Sequence, residues 1–503
     1  MMNRGTLTSI TTCLLAVAGC TASTSQEAVA NGSACRPSLQ PPVHSPAYAK
    51  TPWPTEHADV WRTHAAPTGL PAGVHNMRLR RTSATLPVEP MWGYVGTRGK
   101  LYVIGGSPYL LNMFTELMLG ASNDQIPQLT ARTLLASTQV TPYVAQIDAT
   151  TMTVDKVLHL KRGVAINYTG GLLVHSNGFL YAVVRAVLYK IDPATFSIVA
   201  SRRLPLPRTE NNTPNLRATY NGMVATPRGE LILKGWASSG GGENADGMLV
   251  RANPRTLKLQ PSTLSGISSA RMAIVEDGRR ELIYMPGPTQ SARFLVTPSA
   301  FPIDDPWSTT YLRPESGDTM ASSDIYMGNG VLFANNTNPQ ATTPMRVFAQ
   351  GAAPNSPLQK AKAFRGKKNG WNFFMIAGDP YRSGMAAVQD QATGRVAGYL
   401  ACDGGVSFAK RWENGQITSS AGMAVNYNAG HLYTDDRSCT PSGRCRLYLV
   451  VLDLRNGREL ARVRVMGTRP SMGQIFAGRD AVYYIAAQTG RRQGFITRIT
   501  AGR

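Results

Sequence analysis

Apolar and polar positions alternate along this chain in short runs, each run broken by a Gly-containing turn, and the motif returns at a nearly constant step. Examples are MWGYVGTRGKLYVIGG, YTGGLLVHSNGFLYAVV, YNGMVATPRGELILKGW, ARMAIVEDGRRELIYMP, DIYMGNGVLFANN, SAGMAVNYNAGHLYTDD and SMGQIFAGRDAVYYIAA. Alternation of period two marks half-buried strands, and the intervening turns make each run a pair of strands. Anchoring the copies on Gly93, Gly170, Gly222, Met272, Ile325, Asn372, Gly422 and Gly473 gives steps of roughly 77, 52, 50, 53, 47, 50 and 51 residues. The copy around Trp371, Asn372 and Phe373 is the weakest.

A second pattern lies inside each copy, a strand that ends in an Asp or Asn turn and is followed by another strand. It is centred on Asp148, Asp192, Asn253, Asp390 and Asp453. A carboxylate or amide there closes the turn by accepting backbone N–H bonds two residues on. Leu449 with Val451, and Leu460, Val463 and Val465, supply alternating apolar positions around one such turn. Four short antiparallel strands in about 50 residues make a β-propeller blade, so the chain predicts an all-β, eight-bladed propeller of four-stranded antiparallel blades, with seven blades as the alternative count. The long first step is explained by an insertion at about 107–137, where Leu110, Leu111, Phe114, Leu117 and Met118 fall at helical spacing. This helical insertion belongs to the first blade, as a cap on it or as a partner-binding element.

Before the repeats the pattern is different. Arg4, a diluted apolar stretch over 7–18 and the sequence Val17-Ala18-Gly19-Cys20 read as a signal peptide covering 1–19. The Cys after Val-Ala-Gly resembles a lipobox, which implies that Cys20 carries lipid and is the mature N-terminus. Ordinary cleavage near Ala18 would leave Cys20 a plain thiol. Thr21 after Cys20 resembles outer-membrane sorting. Residues 20–88 are Pro-, Ser-, Thr- and Ala-rich and read as a tether and extended lead-in, whose 52–61 part (PWPTEHADVW) docks on the body through its aromatics. The propeller then spans 89–503. The expected address is the periplasm, with lipid anchorage to the outer membrane.

Cysteines agree with an oxidising compartment. Cys439 and Cys445 flank Thr-Pro-Ser-Gly-Arg, a reversal that predicts a hairpin-closing disulfide, and Cys35 with Cys402 would staple the lead-in to the body. No Cys-x-x-Cys or paired His spacing suggests a metal site. The formal net charge of +22, with Arg outnumbering Lys roughly threefold, favours anions. For an envelope protein these are lipid head groups, lipopolysaccharide phosphates or acidic polymers rather than nucleic acid. The densest run, Lys360, Lys362, Arg365, Lys367 and Lys368, reads as a solvated loop.

The Asp-x-x-Thr/Asn-Gly turns at 390–395 and 453–460 resemble the repeat of the pyrroloquinoline-quinone-like propellers. That superfamily includes quinoprotein alcohol dehydrogenases and the lipoprotein subunit of the outer-membrane β-barrel assembly machinery, and the resemblance covers the chain from about Met91 to Arg503. It implies the fold and leaves activity open. The chain departs from the dehydrogenases in having no adjacent Cys pair, no tryptophan-docking blade motif and no calcium-binding Glu/Asn/Asp set, and from the assembly subunit in its insertion and lead-in. Accordingly no cofactor is predicted, with Ca²⁺ or pyrroloquinoline quinone as the ones the resemblance would bring.

Catalytic motifs are absent from the sequence: there is no Gly-x-Ser-x-Gly elbow, His-Glu-x-x-His, phosphate loop or haem motif. His57 with Asp59 lies in the lead-in and reads as hydrogen-bonded structure rather than a catalytic pair. Glu243, Asn244 and Asp246 in GGGENAD are oxygen donors of a solvated turn that lacks calcium-loop spacing. Residues opening the innermost strand of each blade converge on one mouth of the central channel, which selects Trp92, Tyr168, Tyr220, Asn221, Arg271, Asp324, Tyr326, Trp371, Asn372, Ser420 and Met472. Rings, amides, one cation and one carboxylate suit a polar small molecule, a glycan or an extended peptide. The same residues would equally line a narrow, hydrated channel with no ligand. The expectation is a monomeric, non-enzymatic binding or assembly scaffold of the envelope, with a propeller oxidoreductase, lactonase or lyase as the alternative.

Overall fold

The computed structural model describes residues 35–106, 140–161, 169–206, 219–236, 247–264, 271–286, 290–310, 323–334, 344–365, 376–390, 394–415, 422–440, 445–488 and 493–502. Eight sheets follow one another around an axis, each built of four antiparallel strands, with a short fifth strand, Ala65–Ala66, added parallel to the innermost strand of the seventh. Their innermost strands are Pro90–Val95, Thr169–Val174, Thr219–Ala225, Ala273–Asp277, Ser323–Tyr326, Ala377–Asp379, Ala424–Asn426 and Arg469–Gly478. Blade count and blade type therefore follow the periodicity of the sequence. The insertion at 107–137 and the GGGENAD turn lie outside the described residues.

Among the described residues the core is divided into seven apolar clusters, and one of them joins the eighth blade to the seventh and the first through Phe476, Tyr484, Leu449 and Val103. Each blade buries both sheet faces against its neighbours, so inward and outward positions are both apolar over the middle two strands, as in Leu180–Val184.

Ring closure depends on the lead-in. Strand Arg78–Leu86 forms the outermost strand of the eighth blade, paired in register with the C-terminal strand from Arg78 opposite Gly502 to Leu86 opposite Gly494. The segment read from sequence as an approach to the body thus supplies a blade strand, because its Arg78-Leu-Arg-Arg start masks a strand whose buried residues are only Ala84 and Leu86.

Three local readings change. In the sixth blade the inner strand runs Ala377–Asp379, three residues long, and Asp379 ends it by accepting the N–H groups of Tyr381 (3.0 Å) and Arg382 (2.9 Å); the anchor read at Asn372 lies outside the described residues. Asp148, Asp192, Asn253 and Asp453 close the turn between third and fourth strands as expected, accepting from Thr150, Ala194, Arg255 and Arg455 at 2.8–2.9 Å. Asp390 instead sits between second and third strands, paired with Arg395; its turn has the same Gly-to-Asp backbone bond as the Asp453 turn, which is why sequence cannot separate them. Lys360 and Lys362 lie on the outer strand Leu358–Lys362 rather than in a loop. Both disulfides form, Cys439 with Cys445 and Cys35 with Cys402.

Replacing Leu86, 1% exposed, by Ala is expected to cost about 2–4 kcal/mol in denaturant unfolding of the whole ring. A tether outside the fold would show no such loss.

Candidate functional site

Residues 35–66 decide the character of the axis. Cys35 is bonded to Cys402, Arg36 accepts from Asp403 N, and Gln40 N donates to Pro380 O, which pins the start of the segment to the sixth blade. The chain then crosses one face of the ring as a strap and reaches the second and third blades. There Tyr48 bridges to His175, and its hydroxyl accepts from Ala225 N at 3.1 Å.

From Trp53 the chain turns into the channel and circles it. Backbone N–H groups of Val95, Val174, Ile274, Tyr326, Gly378, Val425 and Tyr427 donate to the carbonyls of Trp53, Pro54, Val60, Trp61, Thr63, His64 and Ala66 at 2.8–3.1 Å. These donors come from the inner strands of the first, second and fourth to sixth blades and from the seventh blade, where Ala65–Ala66 adds a short parallel strand. An inner strand is a sheet edge, and an edge N–H away from water needs an acceptor. Pro52 and Pro54 carry no N–H of their own, so this part of the segment presents carbonyls without adding donors. Tight circling requires left-handed backbone at Ala58 (φ 72°), Arg62 (φ 62°) and His64 (φ 55°). A residual cavity of ≈ 10 Å³ between the segment and the third and fourth blades is room for about one water molecule.

The plug brings charge to the axis. Glu56, His57, Asp59, Arg62 and His64 are all below 9% exposed. Arg271 Nη1 lies 2.7 and 2.8 Å from the two Glu56 oxygens, donates to Gly170 O at 3.0 Å, and its guanidinium stands 5.0 Å over the Trp92 ring. Asp59 accepts from Thr63 N at 3.1 Å and from the Tyr381 hydroxyl at 2.7 Å. The rings of His57 and His64 are 4.5 Å apart, and His64 Nδ1 is 3.2 Å from Met423 O.

Burial governs protonation here. It raises the Glu56 carboxyl in spite of Arg271 and Arg62, and raises Asp59 in spite of its hydrogen bonds to Thr63. It pushes His57 well below the usual imidazole range and His64 down to about 3, with Arg62 adding to both shifts. Both imidazoles are therefore neutral near pH 7, and the cations that balance the carboxylates are Arg62, Arg271 and the fully buried Lys234.

The sequence-selected mouth residues separate into groups. Trp92 and Arg271 meet at the axis on Glu56. Asn221, 2% exposed, lies within the third inner strand, Thr219–Ala225, where the register shifts between Tyr220 and Gly222. Tyr220 packs between the second and third blades, with its hydroxyl on Pro205 O at 2.6 Å. Tyr326 packs edge-on against Trp61, 5.0 Å between centroids. Asp324 pairs with Phe333 on the fifth inner strand, and Met472 falls within the eighth. Tyr168, Trp371, Asn372 and Ser420 lie outside the described residues. What sequence reading missed is that the lead-in supplies most of the polar groups at the axis. The cue was available in PWPTEHADVWRTHAA, a stretch too aromatic and too charged for a plain tether.

The large concave surface lies on the strap face. A cavity of ≈ 980 Å³ has the plug at its floor, at Asp59 and Ala65, and the strap as one wall from Pro42 to Pro52. Tyr102, Tyr381 and Tyr427 add rings; Tyr381 and Tyr427 meet edge-on at 5.1 Å.

No family model and no curated protein matches the chain. Among solved structures it is similar to the quinohemoprotein alcohol dehydrogenase of Comamonas testosteroni, at 12% identity over 90% of this chain and 81% of that one, with a TM-score of 0.55. It is also similar to a quinohemoprotein alcohol dehydrogenase of Pseudomonas putida HK5, at 10% identity over 91% and 81%, with a TM-score of 0.59. The chain has a quinoprotein-type β-propeller fold. At such identity the likeness speaks for the fold alone. Residues 53–66 fill the axis of this propeller, and all four described cysteines are tied in disulfides.

Two outcomes test the plug. Arg271→Met leaves Glu56 buried without its cation and is expected to cost about 3–5 kcal/mol, while the double variant with Glu56→Gln recovers part of it in the same denaturant titration. The depressed histidines give the second. The unfolded chain binds protons on them near pH 6.5 and the folded chain does not until about 3 for His64, so stability falls as pH drops through that window. Glu56 and Asp59, being raised, contribute with the opposite sign. His57→Leu is expected to unfold with a shallower pH dependence below about pH 6.5 than the parent, read from urea midpoints.

Proposed function

We propose that this protein is an exported, lipid-anchored propeller of the bacterial envelope that acts as a binding or assembly scaffold, with the strap-face cavity as its site. One observation carries the reading: the chain fills its own channel with residues 53–66, and leaves a cavity of ≈ 980 Å³ on one face. A plugged axis suits a rigid platform better than turnover at a channel mouth, where substrate must enter and product must leave. Rings and prolines around the cavity, with His44 and Lys50 exposed at its edge, suit an extended peptide of an envelope protein or a glycan. Two disulfides support an oxidising compartment, in line with export.

The quinoprotein neighbours favour a second reading, a propeller oxidoreductase. Purified protein supplied with pyrroloquinoline quinone and Ca²⁺ separates the two: a stoichiometric quinone chromophore with alcohol-dependent dye reduction would establish the enzyme, and the scaffold reading expects neither.

A photo-crosslinking residue placed at Lys50 or Thr97, both lining the cavity and exposed, is expected to capture a discrete envelope partner or glycan in cells. The same residue at exposed Arg279, on the fourth blade, is expected to capture none. Identical patterns at the three positions would count against the face as the site.

A further inference from the structure

The positive charge of the chain is concentrated on its closing edge. Residues 78–86 and 422–503, which build the seventh and eighth blades, hold sixteen arginines, no lysine and five carboxylates, a net +11 out of +22 for the whole chain. The five carboxylates are already engaged. Asp435 accepts from the Tyr484 hydroxyl, Asp453 closes its own turn, Asp436 and Glu459 both pair with Arg462, and Asp480 lies beside Arg479. Among the described residues Arg78, Arg80, Arg81, Arg446 and Arg464 form no ion pair, and all but Arg81 have no carbonyl to donate to either. Arg81 Nη1 donates to Arg464 O at 2.6 Å, which sets the outermost strand of the eighth blade, Arg78–Leu86, beside the outermost strand of the seventh, Glu459–Arg464.

The result is a strip of guanidinium groups along two neighbouring edge strands on the convex rim, with exposed Arg446 at the start of the seventh blade's third strand, Cys445–Asp453. Charged residues on edge strands also prevent sheet-to-sheet pairing, but a mixture with lysine and glutamate would serve that purpose. An all-arginine set points to phosphate, since the planar fork bonds two phosphate oxygens at once. Two apolar side chains bracket the strip. Met77, 37% exposed, immediately precedes Arg78, and Met466, 42% exposed, follows the seventh blade's outer strand and donates its N–H to Thr497, whose strand partner is Ser83. Exposed methionines among arginines fit the boundary between head groups and acyl chains, and have no role against a nucleic-acid backbone.

We infer that the Arg78–Leu86 and Glu459–Arg464 rim docks flat on an anionic phospholipid surface. The inference rests on the exported reading above, and not on acylation of Cys20.

The test uses the full chain as Cys20→Ser, which has no thiol to acylate there, in flotation with phosphatidylglycerol-containing vesicles and with pure phosphatidylcholine vesicles at low ionic strength. Binding to the anionic vesicles that weakens with added salt is expected. The Arg78→Gln, Arg80→Gln, Arg446→Gln, Arg464→Gln variant is expected to bind at least ~10-fold more weakly. A control that removes the same charge elsewhere, Arg202→Gln, Arg203→Gln, Arg255→Gln, Arg279→Gln, is expected to retain binding. Equal loss in both variants, equal binding to phosphatidylcholine, or displacement from vesicles by duplex DNA at equal phosphate concentration would overturn the inference. Unchanged thermal midpoints in both variants show that the ring is intact. Alkylation of Cys439 and Cys445 in cells reports the exported reading separately, because reduced thiols there would defeat that reading while leaving vesicle binding as measured.

Discussion

Everything at the centre of this molecule follows from one constraint: the innermost strand of each blade is an edge whose backbone N–H groups need acceptors. The structure meets it from within. Carbonyls of Trp53, Pro54, Val60, Trp61, Thr63 and His64 serve six of the eight blades in sequence order, the Tyr48 hydroxyl serves the third, and Gly422 O serves Ile475 of the eighth. A buried donor left unmade costs about 1–3 kcal/mol, so a ring of such donors is a strong reason for one chain segment to follow a single path. That path is narrow enough to force Ala58, Arg62 and His64 into left-handed backbone, a conformation costing of order 1–3 kcal/mol at each such residue. The surrounding hydrogen bonds hold it there.

The plug explains why the axis is polar yet closed. Its side chains, and not those of the blades alone, supply the carboxylates and imidazoles, while the blades return Arg271, Lys234 and the Tyr381 hydroxyl. Ionisable groups at a propeller axis would ordinarily mark an active site. Here each carboxylate has a partner and the histidines are held neutral by burial, so the same perturbed protonation serves a structural lock. The strap face and the rim are surfaces the lock leaves free.

The strap, plug and closing strand also make the fold strongly non-local. Cys35 joins Cys402 across 367 residues, and Arg78–Leu86 pairs with the C-terminal strand. Neither end of the chain can be satisfied before the other is present. One segment of about fifty residues thereby staples the sixth blade, spans the face, fills the channel and closes the ring.

How much of this was legible beforehand depends on the range of the interaction. Alternation, turn glycines and the Asp148-type caps are local, and they determined strands, hairpins, the repeat and hence the eight blades, together with the Cys439–Cys445 reversal. Local signals also misled where two turns share one geometry, at Asp390, and where a strand shrank to three residues, at Ala377. The convergence of Trp92 and Arg271 was foreseeable from blade geometry, whereas their partner Glu56 was not. Nothing periodic links residues 53–66 to six different blades, or Arg78–Leu86 to the far terminus. Those choices belong to tertiary structure alone, because an acceptor's value to a buried N–H exists only once the ring has created the edge that needs it.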